Sequence, residues 1–237
     1  MLKFIIMKKR PVYPLIIAAV SLAVFIPLLS GVITHAAWIS TVDHAVVQVV
    51  TAYRPTWLTA IVLVITNLGD PPVVVIVGLI VAAVLFYFRR RRYAWFAFAS
   101  ICLMSLVNHI IKNWIRRPRP FVQDPRITPL TTAGGWSFPS GHASGSMLLY
   151  GTVILIALSL VSLPRARHFL VGFSTVMIIL IGVSRIYVQV HFPTDVFAGW
   201  SSALAGLMLL WWLMYPWLTA VGPTGWAGPQ HKANSRK

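Results

Sequence analysis

The sequence predicts an all-α, polytopic membrane protein: six transmembrane helices, with an amphipathic cap helix lying in the interface between the first two spans. Three observations carry this. Of the 237 residues, 58% are hydrophobic and 10% charged, against roughly 45–50% apolar and about 25% charged in an ordinary soluble domain. Mean hydropathy is +0.79 and the chain has no Glu, a composition that cannot clothe a water-soluble enzyme or a free-standing binding domain. The apolar residues also fall in runs long enough to cross a hydrocarbon core, which takes ~20 helical residues per span.

Cut at charges and turn residues, these runs give spans at about 12–33, 71–88, 93–112, 143–163, 169–187 and 194–218. The first follows Lys8, Lys9 and Arg10, the charge pattern that opens a signal peptide, and His35-Ala36-Ala37 offers a loose cleavage site. The run is longer than the ~7–15 apolar residues of such a segment, so it reads as a retained span. Between the first two spans, Trp38, Ile39, Val42, Val46, Val49, Val50 and Tyr53 recur at helical spacing and predict an amphipathic helix over 36–53 that Pro55 ends. The next run, Trp57–Thr66, is too short to span before Gly69-Asp70-Pro71-Pro72, so 34–70 is read as an outer-face cap. Residues 1–221 are expected to form one membrane-embedded domain with its core at 71–218, and 222–237 a disordered cytoplasmic tail. Cys102 is the only cysteine. No intramolecular disulfide is possible, and its apolar surroundings in sequence make it a core thiol.

Net charge is +16, with 20 Lys and Arg against four Asp. In a soluble protein that balance would suggest nucleic acid; here the charges stand in short blocks between apolar runs, a topology signal, and no nucleic-acid partner is expected. With six spans and the N-terminus inside, Lys3/Lys8/Lys9/Arg10, Arg89–Arg92, Arg165/Arg167 and Lys232/Arg236/Lys237 all fall on the cytoplasmic face of a cell membrane. Asp43, Asp70, Asp124 and Asp195 all fall outside. One segment opposes the rule: Lys112, Arg116, Arg117, Arg119 and Arg126 lie outside. Binding an anion would explain them; contact with anionic head groups is the plain alternative.

Three polar clusters share that outer face. In the first, Pro118 and Pro120 stop the third span and force Arg119 into extended backbone, with Lys112 upstream; a compact ammonium and a bidentate guanidinium together suit phosphate. In the second, Ser140 is a natural N-cap for the fourth span, Gly141 permits close approach of a ligand, and His142 sits in the first turn, beside any anion bound at the free N–H groups. A plainly capped helix with an interfacial His is the bland alternative. In the third, Arg185, His191 and Asp195 bridge the last two spans, with Pro193 suited to the first helical position. Asp195 either serves as a helix-end charge paired with Arg185, or accepts a hydrogen bond from His191 and frees the other ring nitrogen to attack.

The motifs K-x6-R-P (Lys112, Arg119, Pro120), P-S-G-H (Pro139 to His142) and S-R-x5-H-x3-D (Ser184, Arg185, His191, Asp195) resemble the tripartite signature of the type 2 phosphatidic acid phosphatase superfamily. Order and spacing match at every signature position, over a region from about 70 to 218. The resemblance implies hydrolysis of a membrane lipid phosphate through a phosphohistidine at the outer face. It makes His191 the nucleophile, Asp195 its orienting partner and His142 the general acid. Lys112, Arg119, Ser140, Gly141 and Arg185 would hold the phosphoryl oxygens. Arg116 and Arg117 match no signature position and are assigned to head-group attraction. Undecaprenyl diphosphate is favoured as substrate because an outer-face site suits recycling of that carrier, with phosphatidylglycerol phosphate and phosphatidic acid as competitors. A phosphotransferase built on the same site, and a non-catalytic lipid carrier or transporter, are the other readings; a transporter would be expected to bind near the midplane. No metal or other cofactor is expected, since four scattered Asp and no Glu provide no carboxylate cage. Zinc held by His142, His191 and Asp195 is the competing arrangement.

Overall fold

The computed structural model describes residues 8–220. Within them the chain forms α1 (Tyr13–Ile33), α2 (Ala37–Thr51), α3 (Thr56–Asn67), α4 (Pro71–Tyr87), α5 (Arg91–Ile115), the single turn α6 (Pro120–Gln123), α7 (Gly141–Leu160), α8 (Pro164–Tyr187) and α9 (Pro193–Leu218). There is no strand among the described residues; the all-α class is as the sequence predicts. Helices α1, α5, α7, α8 and α9 are each long and apolar enough to cross a membrane, whereas α4, at 17 residues, passes only together with α3, from which it is bent by 56°. The span count is therefore five, or six with the bent pair taken as one.

Local chemistry explains where helix ends differ from expectation. The fifth span starts at Pro164 instead of 169, because proline in the first helical position has no N–H to satisfy and three residues suffice for the preceding turn. The region 34–70 holds two helices. α2 matches the amphipathic segment, and α3 follows extended Pro55 to pack on α8. Cys102, expected as a core thiol, is exposed on the flank of α5. A membrane helix is apolar all round, so hydropathy cannot distinguish its lipid-facing side from its bundle-facing side.

Helix α9 is the spine: α1, α2, α5, α7 and α8 all pack on it. Away from the polar end, Phe96, Leu148, Leu207 and Trp211 are fully or almost fully buried, with the Phe96 and Trp211 rings meeting edge-on at 5.2 Å between centroids. That end also carries the cytoplasm-assigned charges. Arg10 lies 4.4 Å from the Trp212 ring centroid and Arg92 donates to the Ala220 carbonyl at 2.5 Å. The other end gathers the starts of α4, α7 and α9 with the ends of α5 and α8, beneath α2, α3 and α6. The expected disordered tail 222–237, and Lys3, Lys232, Arg236 and Lys237, lie outside the described residues.

Candidate active site

Arg119 takes up the extended backbone its flanking prolines demand, at φ −77°, ψ 160°. Its buried guanidinium donates from Nε to the Gly135 carbonyl (3.0 Å), from Nη2 to Gly134 (2.7 Å) and from Nη1 to Val190 (2.8 Å). Nη1 also lies 3.1 Å from His191 Nε2. An arginine can only donate, so Nε2 carries the lone pair and the ring proton sits on Nδ1. Nδ1 in turn stands 3.5 Å from Asp195 Oδ2. The Ser137 hydroxyl bridges them, 3.3 Å from Nδ1 and 2.5 Å from Oδ2. His191 is 2% exposed. Burial, with Lys112 and Arg119 nearby, lowers its pKa to about 3 although Asp195 pulls the other way. The ring is thus neutral at physiological pH, the form that can attack.

Asp195 is 0% exposed, and a carboxylate so placed needs compensation. Its Oδ1 receives Arg117 Nη1 at 2.7 Å, and its Oδ2 receives the Phe192 N–H at 2.9 Å besides Ser137. Arg185, the salt-bridge partner suggested by sequence, is not that partner. The assignment of Arg117 to head groups is likewise corrected: its Nη2 donates to Asp43 Oδ2 at 2.7 Å, and its guanidinium stacks 4.2 Å from the Phe192 ring centroid. Two buried carboxylates on different helices draw it inward. Asp43, on α2, also accepts the Thr194 N–H and hydroxyl at 2.9 Å each, so the cap helix satisfies an orphan donor at the start of α9. Arg116 remains exposed, with Nε on the Asn113 carbonyl, and Arg126 pairs at the surface with Asp124 at 2.8 Å.

Ser140 is the N-cap of α7, accepting from the Ala143 N–H at 3.5 Å, while its own N–H donates to the Asp195 carbonyl at 2.9 Å. This turn presses on α9 at Gly199, where a Cβ would fall 2.7 Å from the Ser140 carbonyl oxygen. A Cβ on Gly141, by contrast, would meet nothing within 4 Å. Packing does not require glycine there; the open side is a cavity of about 330 Å³ shared with Lys112, Ser144, Val74 and Asn108. Lys112 Nζ donates to the Trp136 carbonyl at 3.0 Å and lies within electrostatic reach of Arg119, Arg185 and Asp195. Arg185 gives Nη1 to Thr66 Oγ1 at 2.5 Å, and its buried Nε has no partner among the described residues. His142 Nε2 is 2.8 Å from Asp70 Oδ1. Among the described residues no three His, Cys, Asp or Glu side chains gather as a metal site.

All eight residues singled out in the sequence therefore meet at one end of the bundle. Sequence reasoning missed Ser137, Arg117, Asp43, Thr66 and Asp70. One signal was available: with only four acidic residues in the chain, each aspartate at a span end asks for a partner.

A family model described as the PAP2 superfamily matches residues 93–219. The chain is similar to phosphatidylglycerophosphatase B of Bacillus subtilis (strain 168), 29% identical over 189 residues that make up 78% of this chain and 89% of that protein. It is also similar to undecaprenyl-diphosphatase BcrC of the same organism, 35% identical over 92 residues, 38% of this chain and 42% of the relative. Among solved structures it resembles the transmembrane PAP2 type phosphatidylglycerolphosphate phosphatase from Bacillus subtilis. There the TM-score is 0.72 at 27% identity, covering 81% of this chain and 93% of that one.

Proposed function

The chain belongs to the PAP2 superfamily, and on that premise we propose that it hydrolyses a membrane lipid phosphate or diphosphate through a phosphohistidine on His191. The observation that carries this reading is the His191 ring itself: buried, neutral, with Nδ1–H toward Ser137 and Asp195 and its Nε2 lone pair beside Arg119. In the first step Nε2 bonds to phosphorus as the bond to the leaving oxygen breaks, and His142 passes its proton to that oxygen. In the second, water attacks phosphorus, His142 takes the water's proton, and phosphate leaves. Phosphoryl transfer asks mainly for positioning and for neutralisation of spread charge. Lys112, Arg119 and Arg185 supply the neutralisation, Arg185 with a donor still unpartnered. Arg119 exchanges its bond to Nε2 for one to a phosphoryl oxygen.

The cavity at Lys112 and Gly141 extends along α4 and α5 past Val74 and Val75, an apolar wall suited to an acyl or prenyl chain. The likeness that spans 89% of its relative is to a phosphatidylglycerophosphatase, and the one to an undecaprenyl-diphosphatase spans 42%. This favours a glycerolipid phosphate over the prenyl diphosphate expected from placement alone. Purified protein in mixed micelles should release phosphate from phosphatidylglycerol phosphate with a higher kcat/KM than from undecaprenyl diphosphate or phosphatidic acid. Turnover should continue in excess chelator. Loss to chelator with recovery on adding zinc would overturn the phosphohistidine route, and a reversed substrate order would overturn the lipid assignment.

His191 is only 2% exposed, which also suits transfer of the phosphoryl group to a second lipid; release of phosphate against labelled lipid product in the same assay separates the two outcomes. The site faces the outer side of the membrane, opposite Arg10 and Arg89–Arg92. On a Cys102→Ala background, a cysteine at position 126 should react with an impermeant thiol reagent added to intact cells. Reaction only after the membrane is opened would reverse the orientation.

A further inference from the structure

The bent corner between α3 and α4 reaches into the site. Asp70 is the N-cap of α4, where a carboxylate ordinarily accepts an N–H from the second or third helical residue. Pro71 and Pro72 fill the first two helical positions and carry no N–H, and Asp70 makes no capping bond. Its carboxylate is released to His142, with Oδ1 2.8 Å from Nε2. The Asp70 side chain is 44% exposed and that of His142 11%, so the carboxylate stays partly hydrated while the ring is enclosed.

Two neighbours fix the corner. A Cβ on Gly69 would fall 2.3 Å from Ile181 Cγ2 and 3.1 Å from His142 Cδ2, so only glycine permits this approach. Thr66, one turn earlier, holds Arg185. The other charged groups facing His142 are Arg185 from α8 and Lys112 from α5, both cationic. A proton on the ring would sit in an enclosed place beside two positive charges, and the Asp70 carboxylate is the group that opposes this in part.

We propose that Asp70 is a positioning residue for the reaction: it holds His142 through Nε2–H and sustains its proton-bearing form, leaving Nδ1 to give the proton to the leaving oxygen. This rests on His142 acting as the acid in the reaction above. The balance is one proton from Nδ1 to the leaving oxygen as phosphorus passes to His191, with Nε2–H kept on Asp70 throughout.

The test compares a long-chain alkyl phosphate with p-nitrophenyl phosphate in detergent micelles, using Asp70→Asn, Asp70→Glu, His142→Ala and the double variant Asp70→Asn/His142→Ala. Read as release of the leaving alcohol in the first turnover, Asp70→Asn should slow the alkyl phosphate roughly 10–100-fold, part of what general acid catalysis supplies, and p-nitrophenyl phosphate about threefold or less. Asp70→Glu should restore part of the loss, and the double variant should be no slower than His142→Ala alone. Equal losses in that first step on both substrates, or losses that add in the double variant, would overturn the proposal. Should Asp70→Asn fail to fold, Asp70→Glu, which keeps the charge on a longer arm, must still lose more on the alkyl ester, and an unchanged ratio would equally overturn it. Absence of a phosphoenzyme in the unaltered protein would instead bring down the proposed function, and a His142→Ala variant without substrate contrast would bring down the acid.

Discussion

His191→Ala should abolish the acid-labile, alkali-stable phosphoenzyme expected of the proposed reaction and lower turnover by roughly 10⁴-fold or more on every substrate, aryl and alkyl alike. The size follows from the chemistry lost. Without an imidazole at this position there is no covalent step, and what remains is a polar pocket able to bind phosphate and orient water. The geometry makes the loss specific to the ring. Arg119 is anchored on the carbonyls of Gly134, Gly135 and Val190 independently of His191, and Asp195 keeps Arg117, Ser137 and the Phe192 N–H. Substrate affinity should therefore change far less than kcat. His191 is neutral well below pH 7 because burial lowers its pKa to about 3. Its protonation gains population only near that value, so the rate of labelling, corrected for ionisation of the substrate phosphate, should not fall between pH 7 and 5 on account of His191. Rapid-quench labelling with ³²P-lipid measures both. A phosphoenzyme that survives in His191→Ala would end the assignment.

How much of this was legible in the sequence differs between the fold and the site. Helix starts are marked by residues whose local effect needs no tertiary partner: Pro164 and Pro193 at first helical positions and Ser140 at an N-cap. The signature residues were legible because their spacing is short and lies at span ends. Arg117, Asp43 and Asp70 were not, for a common reason. Each is explained by a charge on another helix, 74 residues away for Arg117 and Asp43 and 72 for Asp70 and His142. No period or motif encodes such a pairing. Arg117 shows the consequence most clearly, since a basic helix end beside an apolar span reads as a head-group anchor until two buried carboxylates are found against it. Cys102 fails for a different reason, the absence of a polar face on a membrane helix.

The second large effect separates the two histidines. His142→Ala should slow phosphoenzyme formation from an alkyl phosphate by roughly 10²–10⁴-fold, the usual worth of a general acid. Departure of p-nitrophenolate needs little protonation, so that substrate should be affected far less, provided it enters the cavity beside Lys112 and Gly141. The environments of the rings support this division. His191 meets Arg119 through its lone pair, which suits attack, while His142 meets a carboxylate through Nε2, which suits carrying a proton. The second step then serves as an internal control, because water attacking the phosphohistidine must lose a proton whatever alcohol left first. Dephosphorylation should therefore be slowed equally after either substrate, and with p-nitrophenyl phosphate the variant should accumulate phosphoenzyme behind a burst of p-nitrophenolate. A burst followed by slow turnover on the aryl ester, with no burst of alcohol from the alkyl ester, is the expected pattern. Equal slowing of the first step on both substrates would mean that His142 binds phosphate without donating a proton, and the donor would then have to be sought among the other groups at the mouth of the cavity.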